Sequence, residues 1–398
     1  RLRVEIEFLV KIIETCCGEI TSKLPQDWKD RLLKIIDDFK LEDAEEVKEL
    51  EKILGHDVKA LMDYLRKRLH RIGLEQLSSY IHLGLTSDDV NNLAYSLLLS
   101  RFRDEVLVPN LIRVIRTISE KAKDNLETIM LGRTHGKSAE PITLGLKFLR
   151  FFEGSKRRIE FLNFCKNFIL KGKIKGAVGT YSLNTPEEEK KALKILGLKT
   201  LPVSSQIIPR DIFSIYVFSL SLIASLCEEI ALEIRLLSQD GINELEEPFS
   251  KTQTGSSVMP HKKNPVICER ICGLSRLIKG HVIVSLQNIA LWNERDISHS
   301  SNERIILEEA SALSYYILKK LELILKNLTV NKEKIKENLE KERPKIFSSA
   351  ILKLLLDKGV PREEAYRTTQ KIFTEVKDCL LYTSDAADEG LGVDLGGR

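Results

Sequence analysis

"DIFSIYVFSLSLIASLCEEIALEIRLLSQ", residues 211–239, is apolar on most faces of a helix, and a helix of that kind is stable only when other helices surround it. The segments on either side have the matching pattern. "EVKELEKILGHDVKALMDYLRKRL" (46–69) repeats apolar residues three and four apart, with Glu-rich turns followed by Lys and Arg in the order that helix polarity favours. "TSDDVNNLAYSLLLSRFRDEVLVPNLIRVIRTISEKAKD" (86–124) continues the period, with Thr86 or Ser87 as cap, Asp88 and Asp89 in the first turn, and Pro109 as an expected kink or break. Another helix is expected to start near Pro141 and run through Phe161 and Phe168. Asn264 and Pro265 then read as N-cap and first residue of a helix reaching about Leu291. Strand-like alternation is nearly absent, and only "KIKGAVGTYS" (173–182) breaks the period, as a Gly-rich turn or short hairpin.

The pattern predicts an all-α protein, a long-helix bundle with smaller helical domains at its ends. The N-terminal domain is expected over 1–85, the bundle over 86–305 and a C-terminal helical domain over 306–378. Residues 379–398 lose the helical period and carry four glycines from Gly390 onward, so they read as a non-native tail.

Bulk properties narrow the function classes. With 62 basic and 58 acidic side chains the net charge is only +4, which is no electrostatic footprint for nucleic acid. The most apolar segment, 215–237, is interrupted by Ser, Glu and Arg, so no membrane span is predicted. Seven cysteines (Cys16, Cys17, Cys165, Cys227, Cys268, Cys272 and Cys379) are scattered through helical patterns without zinc-site spacing. They read as reduced thiols in a cytoplasmic protein, and no metal is expected. No signal peptide is visible.

Short polar stretches interrupt these helices and are expected at their ends, where a bundle can form a pocket. They are Gly55-His56-Asp57, "GLTSDD" with Thr86 and Ser87, "GRTHG" with Thr134 and His135, "SSQIIPRD" with Gln206 and Arg210, "TGSSVMPHKKNP" (254–265), and "ERDISHSSNER" (294–304). Ser256 follows a glycine in a loop, without the G-x-S-x-G surroundings of a hydrolase nucleophile. Lys262 and Asn264 stand at a helix start, where an ammonium, an amide and helix amides suit a developing oxyanion or carboxylate. His135 offers a proton near neutrality. Arg295 and Arg304, with Ser300 and Ser301 between them, supply donors for a phosphate. This set permits, without requiring, elimination of an amine from a phosphorylated amino-dicarboxylate.

"TGSSVMPHKKNP" also resembles the signature loop of the fumarase/aspartase superfamily. "GHDVKA", "HLGLTSDDV", "GRTHGKSAEP", "KGAVGTYS", "SSQIIPRD" and "ERDISHSSNER" resemble, in order and spacing, the motifs of its adenylosuccinate lyase branch, over about residues 4–376. The resemblance implies a mostly helical homotetramer whose sites gather loops from several subunits. It implies release of fumarate from adenylosuccinate and from its shorter ribotide analogue (SAICAR), with no cofactor. Ser256 would be the general base and His135 the general acid. Lys262 and Asn264, helped by Thr134, Thr86 and Ser87, would hold the succinyl carboxylates. His56 and Asp57 would support the acid side and phosphate end, and Gln206 would meet the base or succinyl group. Arg295, Ser300 and Arg304 match phosphate-binding positions, and Arg270 another polar position after the loop. The family's usual Arg-Tyr pair near the N-terminus has no counterpart here, so Arg1 and Arg3 receive no role, and both ends look shortened against the family pattern. The competing expectations are argininosuccinate lyase or another superfamily lyase, and a catalytically silent helical oligomer.

Overall fold

The computed structural model describes residues 1–16, 18–249, 259, 261–343 and 345–374. Ser256, Cys17, Cys379 and the 379–398 tail lie outside these. The chain opens with α1 (Leu2–Cys16), α2 (Gly18–Thr21), α3 (Trp28–Asp37), α4 (Leu41–Leu54) and α5 (Asp57–Arg71). After a 3-10 turn (Glu75–Tyr80), α6 (Ser87–Arg101) passes through a π-helical turn (Phe102–Leu107) into α7 (Val108–Asp124). Strands β1 (Ile129–Thr134) and β2 (Lys137–Thr143) precede α8 (Leu144–Ile169). β3 (Lys171–Gly172), α9 (Pro186–Ile195) and β4 (Lys199–Thr200) lead to α10 (Asp211–Leu237). Then come β5 (Leu245–Glu246), α11 (Val266–Gln287), α12 (Ser298–Lys326), β6 (Thr329–Val330), α13 (Lys332–Lys341) and α14 (Ser348–Asp357). Residues 362–374 are again helical. The all-α expectation holds, with strands confined to three two-stranded pieces among the described residues.

Two compact units form. The first comprises Arg1–Arg113, Ser155–Glu228 and Ile271–Lys319, and the second Val114–Gly154, Glu229–Arg270 and Lys320–Arg398. In the first unit, α1 is buried on two sides, as its spacing dictates. Leu2, Ile6, Leu9 and Ile13 pack with Trp28, Leu32 and Ile35 of α3 and with Leu61 and Leu65 of α5. Val4, Phe8 and Ile12 join a second cluster with Leu93, Ile174 and Leu193. By length and composition α10 could cross a membrane, with 27 residues and a mean hydropathy of 1.7. Its neighbours bond to it instead. Tyr216 Oη meets Ser311 Oγ at 2.8 Å, Ser214 Oγ donates to Ser285 O at 2.7 Å, and Ser275 Oγ donates to Ala224 O at 3.1 Å. Burial pushes the Cys227 thiol of α10 up to about 12, so it is an inert core group, and Cys165, Cys268 and Cys272 are buried like it.

Two local expectations need correction. Pro109 does not break the helix: the π-helical turn ahead of it absorbs the irregularity, and Pro109 falls in the first turn of α7, where its missing N–H costs least. Pro141 does not start a helix. It lies in β2 opposite Leu131, on a two-stranded sheet whose outer edge demands no N–H, and α8 begins at Leu144. Of the two forms expected for "KIKGAVGTYS", the turn is the one formed, entered from the short parallel pairing of β3 with β4. Gly179 makes that turn possible: its φ is +87°, and a Cβ there would lie 2.1 Å from Ser204 O.

Candidate functional site

Eight of the expected site residues fall in the first unit: His56, Asp57, Thr86, Ser87, Gln206, Arg295, Ser300 and Arg304. They cluster because helix starts and a Gly-rich turn are tied together by buried charge. Thr86 is the N-cap of α6 in a reciprocal box with Asp89, whose Oδ2 accepts from Thr86 N at 2.8 Å and from Thr86 Oγ1 at 3.1 Å. The other oxygen of Asp89 pairs at 2.7 Å with Lys173, and neither side chain is exposed. Burial raises the Asp89 pKa and lowers that of Lys173, each opposed by attraction to the other.

His56 caps α5, accepting from Lys59 N at Nδ1 (3.3 Å), while its Nε2 meets Ser87 Oγ at 3.3 Å. With Nδ1 accepting, the neutral ring carries its proton on Nε2 and donates to Ser87. Asp57 pairs with Arg1 at 3.0 Å and accepts from its neighbour Val58 N at 2.8 Å. Arg295 is already engaged: its Nε lies 2.6 Å from buried Asp88, and its Nη1 donates to Gln206 Oε1 at 2.9 Å. Gln206 Nε2 in turn donates to Ala177 O in the Gly-rich turn at 2.8 Å. Beneath lies Arg210, buried, donating to Glu303 (2.9 Å) and Asn92 (2.7 Å), with His299 Nδ1 on the same Glu303 oxygen at 3.0 Å. Burial lowers the Arg210 pKa, with Glu303 opposing. Ser300 and Arg304 stand one turn apart on α12 with Arg304 exposed, and the guanidinium folds back on Ser300 (Nε to the carbonyl 3.2 Å, Nη2 to Oγ 3.4 Å).

Thr134, His135, Lys262, Asn264 and Arg270 fall in the second unit. "GRTHG" is not at a helix end. It forms the tip of the β1–β2 hairpin, with Thr134 paired to Lys137 and a two-residue turn of His135 (φ 54°) and Gly136 (φ 71°). Positive φ at both turn residues is the hairpin geometry that matches strand twist, and His tolerates it better than a β-branched residue would. The tip holds His135 exposed.

Lys262 and Asn264 line a cavity of about 820 Å³ with His261, Lys263, Arg235, Asp240, Glu246, Glu247 and Glu269 among its other walls. Lys262 is exposed and its backbone N–H donates to Met259 O at 3.0 Å. The helix start behind them is not open to an anion. Glu247 accepts from Ile267 N (3.1 Å) and Cys268 N (2.9 Å), filling the amides that the sequence pattern offered for an oxyanion. Arg270 is exposed and does not line the cavity, whereas its neighbour Glu269 does. Glu247 and Glu269 escaped sequence reasoning. A carboxylate four residues past Pro265 was the only local hint of Glu269, and Glu247 acts across 20 residues.

A family model described as "Lyase" matches residues 8–280. The adenylosuccinate lyase of Aquifex aeolicus is 44% identical over 361 residues, covering 90% of this chain and 81% of its own. That of Thermotoga maritima is 42% identical over 329 residues (83% and 75%), and that of Bacillus subtilis 44% over 328 (82% and 75%). Among solved structures, a fumarate lyase from Mesorhizobium sp. BNC1 superposes with a TM-score of 0.81 at 22% identity, covering 98% of this chain and 88% of its own. A 3-carboxy-cis,cis-muconate lactonizing enzyme from Pseudomonas putida does so at 0.80 and 22%, covering 95% and 84%. These last two speak for the fold alone. By its sequence matches along most of its length, the chain belongs to the adenylosuccinate lyases of the fumarase/aspartase superfamily.

Proposed function

We propose that this chain is a C–N lyase that eliminates fumarate from adenylosuccinate, leaving AMP, and from SAICAR, leaving AICAR. The observation that carries this reading is 42–44% identity to three adenylosuccinate lyases over 82–90% of the chain. In the proposed reaction, Ser256 Oγ takes the proton from the succinyl carbon next to the one bearing nitrogen. The C–H electrons become the new C=C bond, the C–N bond breaks, and the leaving nitrogen takes a proton from His135. A serine is a weak base in water, so its activation has to come from desolvation and neighbouring positive charge. The exposed ammonium of Lys262 and the amide of Asn264 suit a carboxylate whose charge grows as the carbanion forms. Thr134, Thr86 and Ser87 assist there. Gln206 meets the base or succinyl group, and Arg270 a further polar group. Arg295, Ser300 and Arg304 take the phosphate, with His56 and Asp57 beside it. Of these, exposed Arg304 bonds back to Ser300, while Arg295 has to share itself with Asp88 and Gln206.

A homotetramer in the cytoplasm completes the reading. Exposed apolar side chains along the long helices favour association: Phe164 on α8, Leu232 on α10, Ile283 and Leu286 on α11, and Leu323 on α12. An ultraviolet assay with adenylosuccinate tests the activity, with argininosuccinate alongside. Turnover of adenylosuccinate alone is expected. Turnover of argininosuccinate alone would overturn the phosphate assignment, and silence on both would remove the activity from this chain. Light scattering after size exclusion tests the assembly, with four chains expected.

A further inference from the structure

One short stretch, Glu244-Leu245-Glu246-Glu247 around β5, bonds both to the hairpin that carries His135 and to the helix start that follows Lys262 and Asn264. It has two buried carboxylates, at 0% and 6% exposure for Glu244 and Glu247. Glu244 receives Arg133 in a two-point grip, Nη1 to Oε2 at 2.9 Å and Nη2 to Oε1 at 2.7 Å. Arg133 stands two residues before His135. Asn338 of α13 adds a third bond to Glu244 Oε1 at 2.9 Å. Glu247 holds the first amides of α11, Ile267 and Cys268, three and four residues past Asn264.

The stretch itself is fixed. Glu244 N donates to Leu237 O (2.8 Å), Asn331 N donates to Glu244 O (3.1 Å), and β5 pairs with β6. Glu244 and Glu247 flank the two-residue β5 on either side, so one short stretch of chain grips two separate elements. A buried carboxylate is stable only with such partners: a guanidinium fork for one, a helix N-terminus for the other.

We propose that Glu244 and Glu247 are positioning residues, which set the His135 hairpin and the Lys262–Asn264 segment in register through one common stretch of chain. Their catalytic meaning rests on the elimination reading above, since it assigns His135 and Lys262 to the two ends of one bond-breaking step. Misplacing either group by about 1 Å can cost on the order of 100-fold in rate.

Hydrogen exchange and steady-state kinetics on the full chain test this. In Glu244→Gln, an amide NH2 replaces one oxygen facing Arg133. Amides of residues 133–138 should then exchange faster while those of Ile267 and Cys268 stay protected. Glu247→Ala should give the reverse pattern. In kinetics, Glu244→Gln should lower kcat on the order of 100-fold at unchanged KM and shift the pH limb that His135 carries. Glu247→Ala should raise KM on the order of tenfold as well as lowering kcat, as expected when a carboxylate holder is displaced. Glu247→Asp keeps both oxygens and should recover part of the loss. Should Glu244→Gln fail to fold, Asn338→Ala removes one bond to the same carboxylate and should give its exchange pattern more weakly. Loosening of both elements by each variant, or of neither, would overturn the proposal. A wild-type chain without lyase activity would refute the functional reading, while the exchange patterns would still decide the positioning role.

Discussion

The two units handle polar groups in opposite ways. In the first, charged side chains are interlocked: Asp89 with Lys173, Arg295 with Asp88 and Gln206, Arg210 with Glu303 and Asn92. In the second, His135 and Lys262 stand exposed at a hairpin tip and on a cavity wall, while buried carboxylates behind them do the anchoring. Interlocked charges hold shape, and exposed ones on anchored supports are open to react. The contrast therefore separates fully buried pairs such as Asp89 with Lys173, whose loss should destabilise the fold, from exposed groups, whose loss should leave it intact.

The sharpest way to break that contrast is to remove the groups proposed to react. Ser256→Ala and His135→Ala should each lower kcat by about 10² to 10⁴-fold with binding and melting temperature nearly unchanged. A near-normal turnover in single-turnover kinetics would take either residue out of its role. Next in size is Lys173→Met, which strands Asp89 without its cation. The expected loss is about 3–5 kcal/mol in denaturant unfolding, the usual cost of an uncompensated buried charge. Lys262→Met, an equal chemical change on the exposed wall, should move stability by no more than about 0.5 kcal/mol. Equal losses for the two lysines would erase the distinction between the units.

Lys262→Ala should weaken substrate binding and rate together, by about 10 to 100-fold, if, as proposed, it holds a carboxylate that gains charge in the transition state. The smallest effect concerns the start of α12. Asp296 accepts from Ser298 Oγ, then from the Trp292 and Ser298 amides, and these bonds hold its pKa down to about 2. A depressed carboxyl stabilises the fold above its unfolded value, near 3.8, and that contribution fades as the pH falls toward 2. Carboxyl NMR titration should find the low midpoint, and Ser298→Ala should raise it.

Much of the first unit was legible in the sequence because its signals are local. Thr86 with Asp89 three residues on is a cap written in four letters, and the 3.6-residue period of α1 and α10 fixes their buried faces. The π-helical turn escaped because Pro109 drew attention to itself, while the irregularity lies in the unremarkable "FRDEVL" before it. The hairpin escaped because "MLGRTHGKSAEPIT" lacks clean alternation: Gly132 admits the close approach of Glu140 O, 2.4 Å from where a Cβ would sit. Glu244 reaches Arg133 across 111 residues, a distance at which no spacing rule speaks. The sequence offered candidate residue types for the site but not their engagement, such as Arg295 being held by Asp88.

The occupied start of α11 has a consequence for how the cavity responds to solution conditions. With Glu247 on the helix amides, attraction for a dicarboxylate falls to exposed ammonium groups such as Lys262. Exposed charges are shielded by dissolved ions over about 8 Å at physiological ionic strength, and over about 3 Å at 1 M. Substrate capture at this wall should therefore weaken steadily as salt rises, whereas the buried pairs that hold its supports in place should hardly feel the change.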